Sequence, residues 1–499
     1  MTSGDDGTII GDRRGNGRVQ GRCQIRQLPF VGNASCLGGQ RRLPTLLKLR
    51  TKNFRTGRTG MELDKDLQAF VEREVGAITS IRRPEAGSSR ITYLIEAQCG
   101  RCVLRVDGGD GTMSDTPLDL AREAAAYRAL SGSDVRIPTL LGETHNAFLM
   151  SWVPGSPDLA SAPTEIRHTI MDDYIGALAE LHRVDTSSGF AALDPPESAS
   201  RAAQHWLALW TRIYRSKVRR PSALAEFATQ WMARTAPTDA TRLSVCHGDP
   251  GPANFMHESG KVTGLLDWEF VHIGDPMDDL GWLSFRGHHL QLAGDIGDLE
   301  AQIALWEKQS GFAASRRRIA WYRIMTMYVY LVSCLSALDG GAKDQDRFIY
   351  LNLIDLLHVT MPRAMMMYAG LALPDAEVNL EAREGDTSEQ ISALIDLMRI
   401  RLRQDDAQVG YVGMMARQVL DVTRLGPSIA AQNADAVSAL IGRRIEPEDE
   451  HREFRDWIAR GAAEGREERV LQTLVQNGLR RIEPNTLFKD AALAPLRQL

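Results

Sequence analysis

Residues 243–282 read LSVCHGDPGPANFMHESGKVTGLLDWEFVHIGDPMDDLGW, and this stretch decides the fold. Its first apolar run, residues 243–246, predicts a short strand that leads into His247-Gly248-Asp249. Glycine relaxes the backbone at the turn, and the prolines on either side of Gly251 stiffen it. The pattern therefore predicts a carboxylate held firmly at the end of a strand.

Two further polar residues follow at fixed offsets. Four residues separate Asp249 from Asn254, and a second apolar run, residues 262–266, leads directly to Asp267. A carboxylate such as Asp249 can accept the proton of a substrate hydroxyl. An amide oxygen and a second carboxylate are hard ligands that suit Mg²⁺. One base and two metal ligands are what phosphoryl transfer from a nucleotide requires.

The spacing resembles a known superfamily. The chain is similar to the aminoglycoside phosphotransferase and choline kinase-like proteins in three motifs. These are His-Gly-Asp followed, after four intervening residues, by Asn, then Asp267-Trp-Glu, and then Gly274-Asp-Pro. Within that superfamily the chain resembles bacterial phosphotransferase family proteins and the kinase domains linked to acyl-CoA dehydrogenases. The alternative is a simple turn with helix-capping aspartates. Three elements at the right offsets favour the site over the turn.

The resemblance implies an α+β, bilobal protein-kinase-like fold, with a small β-rich N-lobe and a mostly helical C-lobe. It also implies ATP and Mg²⁺ as cofactors. Composition and periodicity then divide the chain. The expected segments are a disordered basic extension (1–60), the nucleotide-binding N-lobe (61–154), the catalytic and acceptor-binding C-lobe (155–372), a linker (373–386) and an all-α C-terminal domain (387–499).

The resemblance assigns the nucleotide's phosphates to two places in the N-lobe. One is the small-residue loop of Gly87, Ser88 and Ser89, whose backbone N–H groups can cover phosphates. The other is Arg105, paired with Glu123 on the following helix. Arginine stands where kinases usually have lysine, but it also binds phosphate well. An exposed edge-strand arginine is the alternative for Arg105.

Further roles follow from the same resemblance. Met150 and Trp152 lie at the expected hinge between the lobes, where the adenine would bind, although core packing is an equal alternative for Trp152. His247, His182 and Asp279 are expected to give structural support, with Asp279 bracing the catalytic loop. These three residues would then contact the loop and not the substrate.

The acceptor site is the least defined part of the prediction. Trp321 and Tyr328 are candidates for its lining, though core packing is the favoured role for both. Residues 206–232 predict one amphipathic helix with five cations between positions 212 and 220. This cluster is either a solvated helix face or a patch for an anionic acceptor. His288 and His289 lack partners at metal-ligand spacing and are expected at the surface.

Composition narrows the function classes. The formal net charge is −5, which gives no overall signal for nucleic acid, although residues 1–60 carry 12 Lys/Arg against 3 Asp/Glu. The most apolar run, residues 319–338, contains Arg323 and predicts a buried helix, so no membrane partner is expected. Six scattered cysteines form no disulfide framework, which predicts a cytoplasmic protein.

The sequence therefore predicts an ATP-dependent small-molecule kinase that phosphorylates a hydroxyl, with a hydroxyacyl-CoA-type metabolite as one acceptor hypothesis. An antibiotic O-phosphotransferase for aminoglycosides or macrolides is the first alternative. A non-catalytic nucleotide-binding scaffold is the second. Helices are expected in the C-terminal domain at residues 391–402, 409–423 and 428–441 and beyond. They carry no set of catalytic residues, and a homodimer that forms through them is one hypothesis. Met61 directly precedes the first patterned helix and is a candidate start of translation.

Overall fold

The structure is a computed structural model that describes residues 58–59, 63–84, 90–108, 115–341, 344–382, 407–497 and 499, without the side chains of 58–59, 344–346 and 407–412. All of these residues belong to one compact unit, Arg42–Leu499. The phosphate-loop residues Gly87, Ser88 and Ser89 lie outside the described residues, as does the helix expected at 391–402.

The N-lobe is an antiparallel sheet flanked by two helices. Its elements are β1 (Arg58–Thr59), α1 (Lys65–Val75), β2 (Ile78–Arg83), β3 (Ile91–Ala97), β4 (Gly100–Val106), α2 (Leu120–Leu130), β5 (Leu140–Glu143) and β6 (Ala147–Ser151). The strand order is β1-β2-β3-β4-β6-β5. Phe70 and Val71 of α1 pack with Ile95 and Leu104 of the sheet in a small separate core. The β-rich N-lobe is thereby confirmed.

One short strand corrects the prediction for residues 1–60. Arg58 pairs with Arg83, and Thr59 pairs with Arg82, so β1 extends the edge of the sheet. The prediction of disorder was wrong at these two residues because strand pairing depends on a distant partner, which local composition does not reveal.

The C-lobe is mainly helical. Its elements are α3 (Thr164–Arg183), α4 (Ala202–Lys217), α5 (Ala223–Thr235), β7 (Ser244–Cys246), β8 (Phe255–Glu258), β9 (Lys261–Leu265), β10 (His272–Gly274), α6 (Met277–Trp282), a π-helix (Leu283–His289), α7 (Leu299–Ser310), α8 (Arg316–Asp339) and α9 (Asp344–Tyr368). Two small antiparallel pairs, β7 with β10 and β8 with β9, carry the residues that the sequence singled out. The two-lobed kinase-like architecture is confirmed.

Two helix predictions need correction. The single helix expected at 206–232 is two helices, because Pro221 interrupts it and the Ser222 hydroxyl accepts the Ala225 N–H at 3.2 Å as a new N-cap. Conversely, the helices expected on either side of Pro427 are one helix, α10 (Ala407–Ile441). A proline removes one backbone hydrogen bond, but the packing of buried side chains such as Val437 keeps the two halves together.

The C-terminal helices α11 (Glu450–Ala459), α12 (Glu467–Ile482) and α13 (Lys489–Leu493) pack against the C-lobe. A Cβ added to Gly478 on α12 would lie 2.2 Å from the His358 carbonyl oxygen on α9, so the two helices touch along their backbones. Val470 and Leu474 belong to the same hydrophobic core as the C-lobe. The described C-terminal helices therefore extend the large lobe and do not form a core of their own. No helix in the described ranges is sufficiently long and apolar to cross a membrane.

The segment that joins the lobes is fixed to the β8–β9 hairpin. The Thr263 hydroxyl donates to the Pro154 carbonyl at 2.6 Å, and Ser156 and His257 exchange backbone hydrogen bonds of 2.9 and 3.0 Å. Gly155 has φ +109°, and a Cβ there would lie 2.4 Å from the His257 carbonyl oxygen. Only glycine permits this close approach.

Candidate active site

The loop after β7 depends on a glycine. Gly248 has φ +82°, and a Cβ at this position would lie 2.1 Å from the carbonyl oxygen of Phe270. The neighbouring backbone excludes any side chain, which accounts for glycine at the middle of the His-Gly-Asp triplet. The loop turns sharply here and directs Asp249 away from the strand.

Asp279 holds this loop by its backbone. Its Oδ2 accepts the N–H of His247 at 2.8 Å, and its Oδ1 accepts the N–H of Gly248 at 3.0 Å. Burial alone would raise the pKa of Asp279, but hydrogen bonds from His182 and the loop hold it below its usual value. Asp279 thus has the contacts that a bracing role requires.

His182 completes the support. The Trp306 indole N–H donates to His182 Nδ1 at 2.9 Å, and Nε2 lies 2.9 Å from Asp279 Oδ2. An indole nitrogen can only donate, so Nδ1 accepts and Nε2 carries the proton that is donated to Asp279. The side chain of His182 is fully buried. His182 therefore lies behind the loop, without access to a substrate.

His247 is also a structural residue by its contacts. Its Nε2 donates to the Leu266 carbonyl at 2.9 Å, and its Nδ1 accepts the Asp249 N–H at 3.4 Å. Burial lowers the pKa of the His247 imidazole, which keeps it neutral. The ring ties the loop to the end of β9, immediately before Asp267.

Asp249 lies at the centre of the site. Asn254 Nδ2 donates to Asp249 Oδ2 at 2.7 Å, and Arg286 Nη1 donates to Asp249 Oδ1 at 2.6 Å. Burial raises the pKa of the Asp249 carboxyl to about 6, although the charge of Arg286 and the hydrogen bond from Asn254 act to lower it. Near neutral pH this carboxylate is ionised and basic enough to accept a proton.

Arg286 was not identified from the sequence. It lies on the π-helix, is 7% exposed, and also donates to the Asp249 carbonyl at 2.9 Å and to Asn254 Oδ1 at 3.3 Å. The available signal was a lone cation in the otherwise apolar stretch that follows Asp279. Such a residue is buried only with a partner, but the sequence did not indicate which carboxylate that was.

Asp267, Arg105 and Glu123 form the opposite side of the site. Arg105 Nη1 lies 3.3 Å from Asp267 Oδ1 and 3.4 Å from Glu123 Oε1. Burial would lower the pKa of Arg105, but the two carboxylates raise it above its ordinary value. Asp267 has φ +64°, a left-handed conformation that is uncommon for a residue other than glycine. Arg105 is therefore not an exposed edge-strand arginine.

The donor set fits Mg²⁺. Asn254 and Asp267 lie at adjacent ends of the β8–β9 hairpin, where the Leu266 N–H donates to the Asn254 carbonyl at 2.8 Å. The Asp267 side chain is 39% exposed and therefore accessible to a cation. Carboxylate and amide oxygens are the ligands that this ion prefers. These two ligands do not form part of a larger set, because no cluster of three or more His, Cys, Asp or Glu that could hold a metal occurs in the described ranges.

The two hinge residues differ in their surroundings. Met150 is 6% exposed and belongs to the main core. Trp152 is half-buried, and the Arg101 guanidinium lies 4.7 Å from its ring centroid. Arg101 therefore covers one face of this indole.

Trp321 and Tyr328, the candidates for acceptor binding, are both fully buried. The Trp321 indole N–H donates to the Thr235 hydroxyl at 3.3 Å, and the Tyr328 hydroxyl lies 2.7 Å from that of Thr229. These aromatic side chains pack in the core and line no described acceptor cavity, because their polar atoms are already satisfied inside the lobe.

Two surface assignments also change. In the cationic cluster at 212–220, Arg215 pairs with Glu226, and Arg220 pairs with Asp339 at 2.8 Å. These pairings leave less positive charge for an anionic acceptor. His288, expected at the surface, is 5% exposed and its Nε2 lies 2.8 Å from Gln302 Oε1. His289 is only partly exposed.

Relatives by sequence include two named mammalian proteins. The mouse acyl-CoA dehydrogenase family member 10 is 26% identical over 254 residues, which cover 47% of this chain and 23% of that protein. The rat acyl-CoA dehydrogenase family member 11 is 22% identical over 318 residues, which cover 57% of this chain and 40% of that protein. The match thus covers less than half the length of either relative.

Two solved structures are similar to this chain over about 60% of its length. The gentamicin complex of APH(2″)-IIa is 16% identical with a TM-score of 0.45, covering 60% of this chain and 97% of that chain. The macrolide 2′-phosphotransferase MphH from Brachybacterium faecium is 22% identical with a TM-score of 0.40, covering 62% and 97%.

A family model also matches part of the chain. The model of the phosphotransferase enzyme family matches residues 80–322, which include β4 with Arg105, the loop with Asp249 and the hairpin that ends at Asp267. The matched range also includes Asp279 and Arg286. Residues 80–322, which make up 243 of the 499 residues, are therefore similar to the phosphotransferase enzyme family.

Proposed function

We propose that the chain transfers the γ-phosphoryl group of Mg-ATP to a hydroxyl of a small molecule. The observation that carries this proposal is the environment of Asp249. Its carboxylate is held by Asn254 and Arg286 and lies in one site with Asp267. A base beside two metal ligands is the minimum that the reaction requires.

The chain's own residues align and polarise the reactants. Asp249 would accept the hydroxyl proton, because each of its oxygens already has one fixed donor and retains a second acceptor position. Arg105, fixed by Glu123 and Asp267, would bind the phosphates. Asn254 and Asp267 would hold Mg²⁺, which supplies charge neutralisation between the phosphates. Most of the rate gain would come from alignment and charge stabilisation.

For the acceptor we propose a hydroxyacyl-CoA-type metabolite. The relatives named acyl-CoA dehydrogenase family members 10 and 11 support this choice. The pairing of Arg215 and Arg220 with carboxylates weakens the cationic cluster as an argument for it. The four cysteines in the described ranges are free, which supports a reducing cytoplasmic location.

The test measures ADP release from Mg-ATP in the presence of separate acceptor pools. One pool contains hydroxyacyl-CoA thioesters, a second contains the matching free hydroxy acids, and a third contains aminoglycosides and macrolides. Asp249→Asn should abolish acceptor-dependent ADP release while ATP still binds. Asp172→Asn, an exposed carboxylate on α3, is the matched control and should behave as wild type.

The outcomes separate the hypotheses. Turnover in the thioester pool alone supports the proposed acceptor, and turnover in the third pool alone replaces it with the antibiotic reading. ATP binding without turnover in any pool, unchanged by Asp249→Asn, would favour the nucleotide-binding scaffold. Turnover that survives in Asp249→Asn would remove Asp249 from the role of base.

A further inference from the structure

A cavity of about 630 Å³ lies between α8, α9 and the segment that follows α13. Ala320, Met367, Leu371, Leu373 and Leu496 supply apolar parts of its wall. This volume is within the range of small-molecule sites in proteins, which are mostly apolar with a few placed polar groups. The cavity is therefore large enough for an organic ligand.

Three arginines line the same cavity: Arg317, Arg323 and Arg363. Burial alone lowers the pKa of Arg323 to about 10, and burial alone lowers the pKa of Arg363. Arg323 is buried, and a buried arginine is normally paired with an acid. The cavity therefore presents a cationic wall that suits an anion.

One acidic residue near the cavity is already engaged by another arginine. Asp239, whose charge acts on Tyr368 in the cavity wall, lies 3.8 Å from the guanidinium of Arg318. Arg317 lies 4.3 Å from the ring centroid of Tyr368 and contacts the ring as a cation over a π-face. This contact leaves the guanidinium edge able to bind an anion.

The hydrogen bonds of Arg323 are incomplete. Arg323 is 3% exposed; its Nη1 donates to the Arg497 carbonyl at 2.7 Å, while its Nε is buried without a partner among the described residues. Arg363 Nη1 donates to the Ala492 carbonyl at 3.0 Å. Unmade hydrogen bonds on buried donors are costly, so an acceptor here would be stabilising.

We propose that this cavity binds an organic anion, in which a carboxylate or phosphate monoester contacts Arg317, Arg323 and Arg363 and an aliphatic body packs against the apolar wall. Arginine binds either head group through two parallel N–H···O bonds. The two head groups share the required chemistry, and the experiment distinguishes them.

This site is separate from the phosphoryl-transfer site. Of the lining residues only Arg317 and Ala320 lie within the family segment 80–322, and the remainder belong to later parts of the chain. One element connects the two sites. The π-helix Leu283–His289 carries Arg286 against Asp249, and one turn later it carries His289, on which the charges of Arg323 and Arg363 act.

The test is direct binding to the full-length protein by titration calorimetry. The probes are octanoate, octyl phosphate, inorganic phosphate and 1-octanol. We expect octanoate or octyl phosphate to bind, with the dissociation constant at least tenfold weaker in Arg317→Gln and in Arg363→Gln. Arg317 is exposed, so its substitution should not impair folding. Arg316→Gln, on the same helix but paired with Glu300 at 2.8 Å, is the control and should bind within twofold of wild type.

Each outcome decides the proposal. Tighter binding of octanoate assigns the head group as a carboxylate, and tighter binding of octyl phosphate assigns a phosphate ester. The proposal would be overturned if neither octanoate nor octyl phosphate binds, or if 1-octanol or inorganic phosphate binds as tightly as they do. It would also be overturned if both arginine variants bind as tightly as wild type. The titration contains no ATP, and Asp249→Asn should bind the anion as wild type does, so this result is independent of the proposed kinase activity.

Discussion

At the scale of single residues, the protonation of Asp249 should control turnover. Because the pKa of its carboxyl is about 6, raised by burial, the basic form is lost as the pH falls through 6. We expect kcat/KM to be flat above pH 7 and to fall about tenfold per pH unit well below 6. A pH–rate profile between 5 and 9 measures this. A profile without an acidic limb would contradict the role of Asp249 as base.

Substitution of Arg286 provides a second test of the role of Asp249. Its positive charge, 2.6 Å from Asp249 Oδ1, lowers the pKa of that carboxyl against the effect of burial. Arg286→Gln should therefore move the acidic limb to higher pH, whereas Arg286→Lys should largely restore its position. If the limb stays in place in Arg286→Gln while kcat falls, Arg286 would act on alignment and not on basicity.

The site residues that lie close together along the chain could be predicted from the sequence, and those whose contacts depend on tertiary packing could not. Asp249, Asn254 and Asp267 could be placed close together from the sequence because a strand, a tight turn and a hairpin hold them within one continuous stretch. Arg286 was missed because its pairing depends on where the π-helix packs. Trp321 and Tyr328 were ambiguous because an aromatic side chain on a helix can face a pocket or the core, and only packing decides.

At the scale of elements, the catalytic loop depends on Asp279 at the start of α6. Asp279→Asn would replace an acceptor by an amide nitrogen opposite one of the two backbone N–H groups. We expect the free energy of unfolding to fall by about 2–4 kcal/mol and kcat to fall with it. Denaturant titration and steady-state kinetics measure both. Asp172→Asn is the matched control, and an unchanged kcat in Asp279→Asn would rule out the bracing role.

This stabilisation should also depend on pH. The pKa of Asp279 is depressed in the folded state, so its contribution is present above the ordinary carboxyl pKa and is lost as the pH falls through the lower value. The stability difference between wild type and Asp279→Asn should therefore shrink in acid.

The contact between α9 and α12 provides a test of helix packing. Gly478→Ala would place a Cβ 2.2 Å from the His358 carbonyl oxygen and force the helices apart, so we expect a loss of about 1–3 kcal/mol in stability. Gly413→Ala on α10 meets no atom within 4 Å and should be neutral or stabilising by about 0.5–1 kcal/mol. Thermal denaturation of both variants measures the difference. Equal melting temperatures would show that the helices can separate freely.

At the scale of the whole molecule, the C-terminal helices should be required for folding. Val470 and Leu474 of α12 share the core of the C-lobe, so a chain that ends at residue 382 would expose part of that core. We expect this truncated protein to aggregate or to lose cooperative unfolding, as measured by size-exclusion chromatography and calorimetry. A soluble truncated monomer with wild-type turnover would instead restore the prediction of a separate domain.

The sequence predicted the two lobes but not this shared core. Periodicity located most helices, because an apolar stripe is a local pattern. It could not show which stripe faces which partner, and a Pro-containing acidic segment resembled a linker. Self-association through the C-terminal helices remains a prediction, for which sedimentation velocity is the direct measurement.

The hydrogen bonds between the interlobe segment and the β8–β9 hairpin have a thermodynamic consequence. Pro154 and Ser156 follow the strand where adenine would bind, and the hairpin carries Asn254 and Asp267 at its ends. A nucleotide that orders the segment would also order the hairpin. Nucleotide and cation should therefore each raise the affinity of the protein for the other, by the same factor. Thr263→Val removes the bond to Pro154 without removing a ligand, and it should weaken the enhancement of ADP affinity by Mg²⁺. Binding of the cation and binding of adenine would then be coupled through the hydrogen-bonded backbone of the interlobe segment and the hairpin.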